Sequence, residues 1–172
     1  YFDRDVLRLN IDKRGEYLGN FDGDDQILVV TKRGEYYTTN FDLNNHYDDD
    51  LVKIEKFDAG KVWTAVLYDD EQKYHYIKRF TFEAVNKRTS YLIVGGDSRI
   101  DLLTDTVYPR LKVVFGGGDS FREPIEVDAE EFIGVKSYKA KGKRLSNYVV
   151  VEVEELEPLR QPEITDDKFD PL

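Results

Sequence analysis

Three features of the 172-residue sequence predict an all-β fold, a propeller-like array of about three to four four-stranded antiparallel blades. First, the apolar residues fall in short runs rich in Val, Ile, Tyr, Phe and Thr, set apart by polar or glycine-bearing turns. Second, residues 6–11 alternate: Leu7, Leu9 and Ile11 share one face and Arg8 and Asn10 the other, the period of a half-buried antiparallel strand. Third, the pentapeptide Lys-Arg-Gly-Glu-Tyr occurs at 13–17 and again at 32–36. No stretch sustains a helical period.

The predicted strands are 6–11, 27–31, 51–56, 62–68, 74–82, 91–94, 100–104, 111–115 and 148–153. Within 74–82, Tyr74, Tyr76, Phe80 and Phe82 alternate on one face and read as core, as does Trp63. Each copy of the pentapeptide follows an apolar run and precedes a stretch ending in Asn-Phe-Asp, at 20–22 and 40–42. This pattern predicts hairpins with Lys-Arg-Gly at the tip, glycine supplying the positive φ of a tight turn. Looser echoes follow at 65–80, with an acidic tip at 69–72, and at 133–145, with the tip Ala140-Lys141-Gly142-Lys143.

Composition bounds the function. A hydrophobic share of 40% supports a folded core, and no run approaches the ~20 apolar residues of a membrane helix. With no cysteine there are no disulfides and no thiolate metal sites, which fits a reducing cytoplasm. The chain lacks methionine and begins Tyr1-Phe2-Asp3, so it reads as a domain excised from a longer protein. We expect a body over 1–157 and an acidic, disordered tail over 158–172.

The net charge of −10 opposes a nucleic-acid partner unless the charges are segregated, and they are. From Glu154 onward seven acids face two bases, so half of the net charge sits at the end of the chain. Other acids cluster at Asp22/Asp24/Asp25, Asp48/Asp49/Asp50, Asp69/Asp70/Glu71 and Asp128/Glu130/Glu131, as expected of loop tips. The bases cluster elsewhere. Residues 132–148 carry Lys136, Lys139, Lys141, Lys143 and Arg144 and no acid; a second group is Lys78, Arg79, Lys87 and Arg88; the repeated tips contribute Lys13, Arg14, Lys32 and Arg33. Lysine and arginine neutralise phosphates and release condensed counterions without reading sequence, so these are the candidate DNA contacts.

Other chemistry finds little support. His46 and His75 are isolated, which argues against a metal site. Gly95-Gly96 and Gly116-Gly117-Gly118 lack the Gly-Lys-Ser/Thr of a phosphate loop, and Asp48-Asp49-Asp50 lacks the ligand spacing of an EF-hand. No catalytic residue is predicted in this chain.

Four segments, 6–15, 27–34, 74–80 and 139–145, together resemble the β-pinwheel domain at the C-terminus of the A subunits of type IIA topoisomerases, gyrase and topoisomerase IV. The stretch Ile27–Thr31 followed by Lys32-Arg33-Gly34 is similar to that family's strand and Thr-Lys-x-Gly turn. The resemblance implies four-stranded blades whose basic perimeter bends double-stranded DNA for strand passage. It also implies that the cleaving tyrosine lies elsewhere in the A subunit, and that ATP and Mg act through other domains and the ATPase B subunit. No cofactor is then expected in this domain, and the place of work is the bacterial cytoplasm, on the chromosome. The glutamine-arginine glycine box of gyrase is absent, which points to topoisomerase IV. Two rival readings stay open: a propeller-like protein-interaction domain that binds a cationic partner, and an extracellular carbohydrate-binding β-domain.

Overall fold

Strand-forming residues here mostly occur in pairs of runs joined by tight turns, and the structure, a computed structural model that describes residues 1–85 and 89–162, folds them into stacked antiparallel sheets. The chain begins with β1 (Phe2–Asp3) and β2 (Arg8–Leu9), then β3 (Ile27–Thr31), β4 (Glu35–Thr39) and β5 (Leu51–Lys56). Next come β6 (Val62–Asp69), β7 (Tyr74–Thr81), β8 (Ser90–Tyr91) and β9 (Arg99–Thr104). The last part holds β10 (Arg110–Phe115), a 3₁₀ turn (Gly117–Asp119), β11 (Ile125–Asp128), one helical turn α1 (Ala129–Phe132), β12 (Lys143–Arg144) and β13 (Val150–Leu156).

A common plan generates the sheets. Each is built on a hairpin (β3–β4, β6–β7 or β10–β11), with a third strand added beside the first member (β5, β9 or β13). A fourth strand beside the second member comes from later in the chain. β8 follows the β6–β7 hairpin yet returns to pair with β4, and β12 follows β10–β11 yet returns to pair with β7. Among the described residues, sheet one (β5-β3-β4-β8) and sheet two (β12-β7-β6-β9) are therefore four-stranded and sheet three (β11-β10-β13) three-stranded. The β1–β2 ribbon stands in front of them. Of the four-stranded units predicted, two are complete.

The apolar runs are continuous because the inner sheets are covered on both faces. In β3, Ile27 and Val29 meet Phe2 and Leu9 of the ribbon, while Leu28 and Val30 meet Trp63, Ala65 and Leu67 of sheet two. On the far side of sheet two, Val66 and Ile77 pack against Leu111, Val113 and Phe115 of sheet three. Sheet three ends the stack. Its outward positions include Lys112, flanked across the strands by Glu126 and Glu154, and such a polar layer closes a repeat array against water.

Several local expectations change. Residues 6–11 form a strand only over Arg8–Leu9. The Leu7 amide donates to the Asp3 carbonyl, and the Asn10 side chain accepts from the amides of Asp12 and Arg14, so a turn and an Asx-bonded loop consume the rest. As a result, Lys13-Arg14-Gly15 sits on that loop and not at a blade tip. The second copy, Lys32-Arg33-Gly34, is the β3–β4 tip as predicted, with Gly34 at φ 96°. The hairpin predicted over 133–145 does not form. That stretch instead lies on the edge of sheet two, bridging Arg79 at Val135 and pairing with β7 over β12.

Candidate nucleic-acid interface

The cationic segment is laid along β7. A parallel bridge joins Val135 to Arg79, and the Lys136 amide donates to the Arg79 carbonyl at 2.9 Å. At the other end Lys143 and Arg144 pair with Ile77 and Tyr76, and the Leu145 amide reaches the His75 carbonyl at 2.8 Å. Between these attachments the chain arches outward as a strap, and the Tyr138 ring turns into the core, edge-on to Tyr36 at 5.1 Å. Gly142 allows the strap to come back to β7: its φ is 92°, and a Cβ there would lie 2.5 Å from the Ile77 carbonyl oxygen.

The strap presents five exposed cations; Lys141 is paired with Asp69, and the other four are Lys136, Lys139, Lys143 and Arg144. Among the described residues none of the four has a carboxylate within ion-pair distance. Aromatic rings seat three of them: Lys143 lies 4.0 Å over Phe132, Arg144 lies 3.8 Å over Tyr74, and Lys139 lies 5.8 Å from the Tyr138 centroid. A ring under a cation fixes its direction and leaves its charge unneutralised.

The sequence from 8 to 157, nearly the whole segment just described, matches the family described as the topoisomerase C-terminal domain of Bacteroidota. The chain belongs to that family. Among solved structures it is similar to the crystal structure of the C-terminal domain of DNA topoisomerase IV, at 12% identity and a TM-score of 0.38, over 90% of this chain and 69% of that one. A search of curated proteins finds no match.

The other cations predicted in this topoisomerase C-terminal domain have different fates. Lys141 bonds the buried carboxylate of Asp69 at 2.6 Å. Burial pushes Asp69 up, but the bonds from Lys141 and from the Gln72 and Glu71 amides outweigh it and hold the carboxyl below the usual range. The same contact raises Lys141. Arg33 is held by Asp50 at 2.6 Å, Glu35 at 3.0 Å and Asp48 at 3.3 Å, and these carboxylates raise its already high pKa. Arg14 pairs with Asp12 at 3.3 Å, while Lys13 and Lys32 are exposed. Lys87 and Arg88 lie outside the described residues.

Lys78 and Arg79 are corrections. Both are buried, because β7 is covered by sheet one on one face and sheet three on the other. Arg79 Nε donates to Thr64 Oγ1 at 3.1 Å. Lys78 Nζ donates to the carbonyls of Leu92 at 2.7 Å, Ala140 at 3.1 Å and Tyr138. Neither can reach a phosphate. Tyr74, expected in the core with Tyr76, Phe80 and Phe82, is only half-buried and seats Arg144; Phe132, at the start of the acid-free basic stretch, seats Lys143, a role not predicted for it. Among the described residues, no three acids or histidines gather as metal ligands, and no helix is long and apolar enough to cross a membrane.

Proposed function

We propose that this domain binds and bends double-stranded DNA for a type IIA topoisomerase, most similar in its A subunit to topoisomerase IV. One observation carries the reading: in a chain of net charge −10, four cations clustered on one strap are exposed and without a carboxylate partner, while of the other predicted cations among the described residues Lys78 and Arg79 are buried, Arg14, Arg33 and Lys141 are paired, and Lys13 and Lys32 stand apart from the strap. Arg33, Arg110 and Arg160 neutralise six of the acids elsewhere: Glu35, Asp48, Asp50, Glu126, Asp128 and Glu130. Unpaired cations give phosphate contacts without base readout, which suits a surface that must accept any sequence.

In this reading the domain guides duplex DNA toward a cleavage core that lies outside this chain. ATP, Mg and the ATPase B subunit serve that core, and the work takes place in the cytoplasm on the chromosome. The test is a gel shift with plain linear duplex at low salt. A retarded band that rising salt abolishes supports the proposal. No retardation at any salt overturns it and favours a protein-interaction role.

A further inference from the structure

Of the predicted DNA contacts, Lys78 is placed furthest from solvent, yet it is bound to the strap more intimately than any other side chain. It stands mid-way along β7, opposite Ala65, and shares a face with Tyr76 and Phe80. A small cross-strand neighbour leaves room for the aliphatic stem. The ammonium ends against three backbone carbonyls, and its three protons match those three acceptors in number. Two of the acceptors, Tyr138 and Ala140, flank Lys139 on the strap. The third, Leu92, follows β8, the returning strand of sheet one. One buried cation therefore ties together the two segments of chain that come back to complete sheets one and two.

We propose that Lys78 is the positioning residue of the DNA-binding strap: it touches no phosphate, and it holds the arch from beneath so that Lys139 and its neighbours face outward at fixed spacing. The inference rests on the DNA reading above. The strap's other attachments, at Val135–Lys136 and Lys143–Leu145, secure only its ends. The Lys141–Asp69 bond adds a hold just beyond Lys139, joining an exposed ammonium to a buried carboxylate. The middle of the arch is thus held from beneath by Lys78 Nζ and the Tyr138 ring, and beyond Lys139 by the Lys141–Asp69 bond. Unlike an ion pair, a lysine bonded to carbonyls leaves the strap's own charges unneutralised.

The test uses Lys78→Met, which keeps the stem and removes the three donors. Melting should remain a single cooperative transition, while hydrogen exchange at the amides of 136–142, measured without DNA, accelerates about tenfold or more. Duplex affinity should fall about tenfold, and the salt slope should shrink by about one phosphate, since Lys139 lies between the pinned carbonyls. A variant that had merely lost stability would bind with the wild-type slope. Should Lys78→Met not fold, Gly142→Ala displaces the strap from outside through its clash with the Ile77 carbonyl, and the same signature is expected.

Exchange at 136–142 that matches wild type in either folded variant overturns the proposal. So does faster exchange with unchanged affinity and slope. Wild-type protein that does not retard duplex refutes the DNA reading itself, and the exchange result then decides separately whether Lys78 holds the arch.

Discussion

Replacing Lys136, Lys139, Lys143 and Arg144 together with alanine should remove most of the salt dependence of duplex binding. Four unpaired cations that each neutralise one phosphate give a slope of about −3.6 in log affinity against log salt, at roughly 0.9 per phosphate on B-DNA. A fourfold rise, from about 50 to about 200 mM salt, then weakens wild-type binding by about 150-fold. For the quadruple variant the same rise should change affinity at most a few-fold. Fluorescence anisotropy with a labelled duplex of ~20–30 base pairs, a site length whose bending by 40–90° costs about 1–6 kcal/mol, reads both slopes. Lys141→Ala is the internal control. Its charge already faces Asp69 at 2.6 Å, so the slope should not move. The reasoning is refuted if the quadruple variant keeps the wild-type slope, or if Lys141→Ala lowers it as much as Lys139→Ala.

Three further outcomes follow from the same contacts. Gly34→Ala should destabilise the protein by more than about 1 kcal/mol in urea unfolding, since a Cβ at φ 96° would lie 2.6 Å from Ile93 Cγ2. Arg33→Ala should leave the salt slope of DNA binding unchanged, its charge being committed to three carboxylates, and cost at most about 1 kcal/mol because the network is half exposed. Lys78 makes stability depend on alkaline pH. Burial lowers its pKa to about 8, against roughly 10.4 in an unfolded chain. The unfolded state therefore binds more protons between these values, and wild-type stability should rise with pH from about 8 to about 10 by up to roughly 3 kcal/mol relative to Lys78→Met. Parallel stability curves for the two proteins would refute that assignment.

Strand identity was legible for most of the inner strands, although Glu35–Thr39 was foreseen only as the far arm of the Lys32-Arg33-Gly34 hairpin. Ile27–Thr31 and Leu51–Lys56 coincide with their predicted bounds, because β-branched runs bounded by turns have few alternatives. The failures come from tertiary geometry. β8 and β12 are two residues long, and nothing local marks Lys143-Arg144 as a strand; it becomes one because Gly142 lets it approach Ile77. Lys78 was misjudged by residue type, although the alternation that places Tyr76 and Phe80 in the core places position 78 there too. At the candidate site the sequence showed the acid-free stretch around Lys136–Arg144. It could not show that Asp69, more than sixty residues earlier, would neutralise Lys141 and none of the others.

The returning strands bear on how the array unfolds. In a simple solenoid each repeat contributes its own stability and neighbours add an interface term, so ends can melt alone. Here sheet one is incomplete without β8, and sheet two without β12, each delivered from beyond the next hairpin. Opening sheet three thus withdraws the strap and the edge of sheet two, and opening sheet two withdraws the edge of sheet one. We expect one cooperative transition in denaturant. Trp63, the single tryptophan, is buried between sheets one and two and reports that interface by fluorescence, while far-UV circular dichroism reports all the sheets. Coincident curves are the expected result. A Trp63 transition at higher denaturant than the circular-dichroism transition would mean that sheet three unfolds on its own, and that the returning strands do not couple the units.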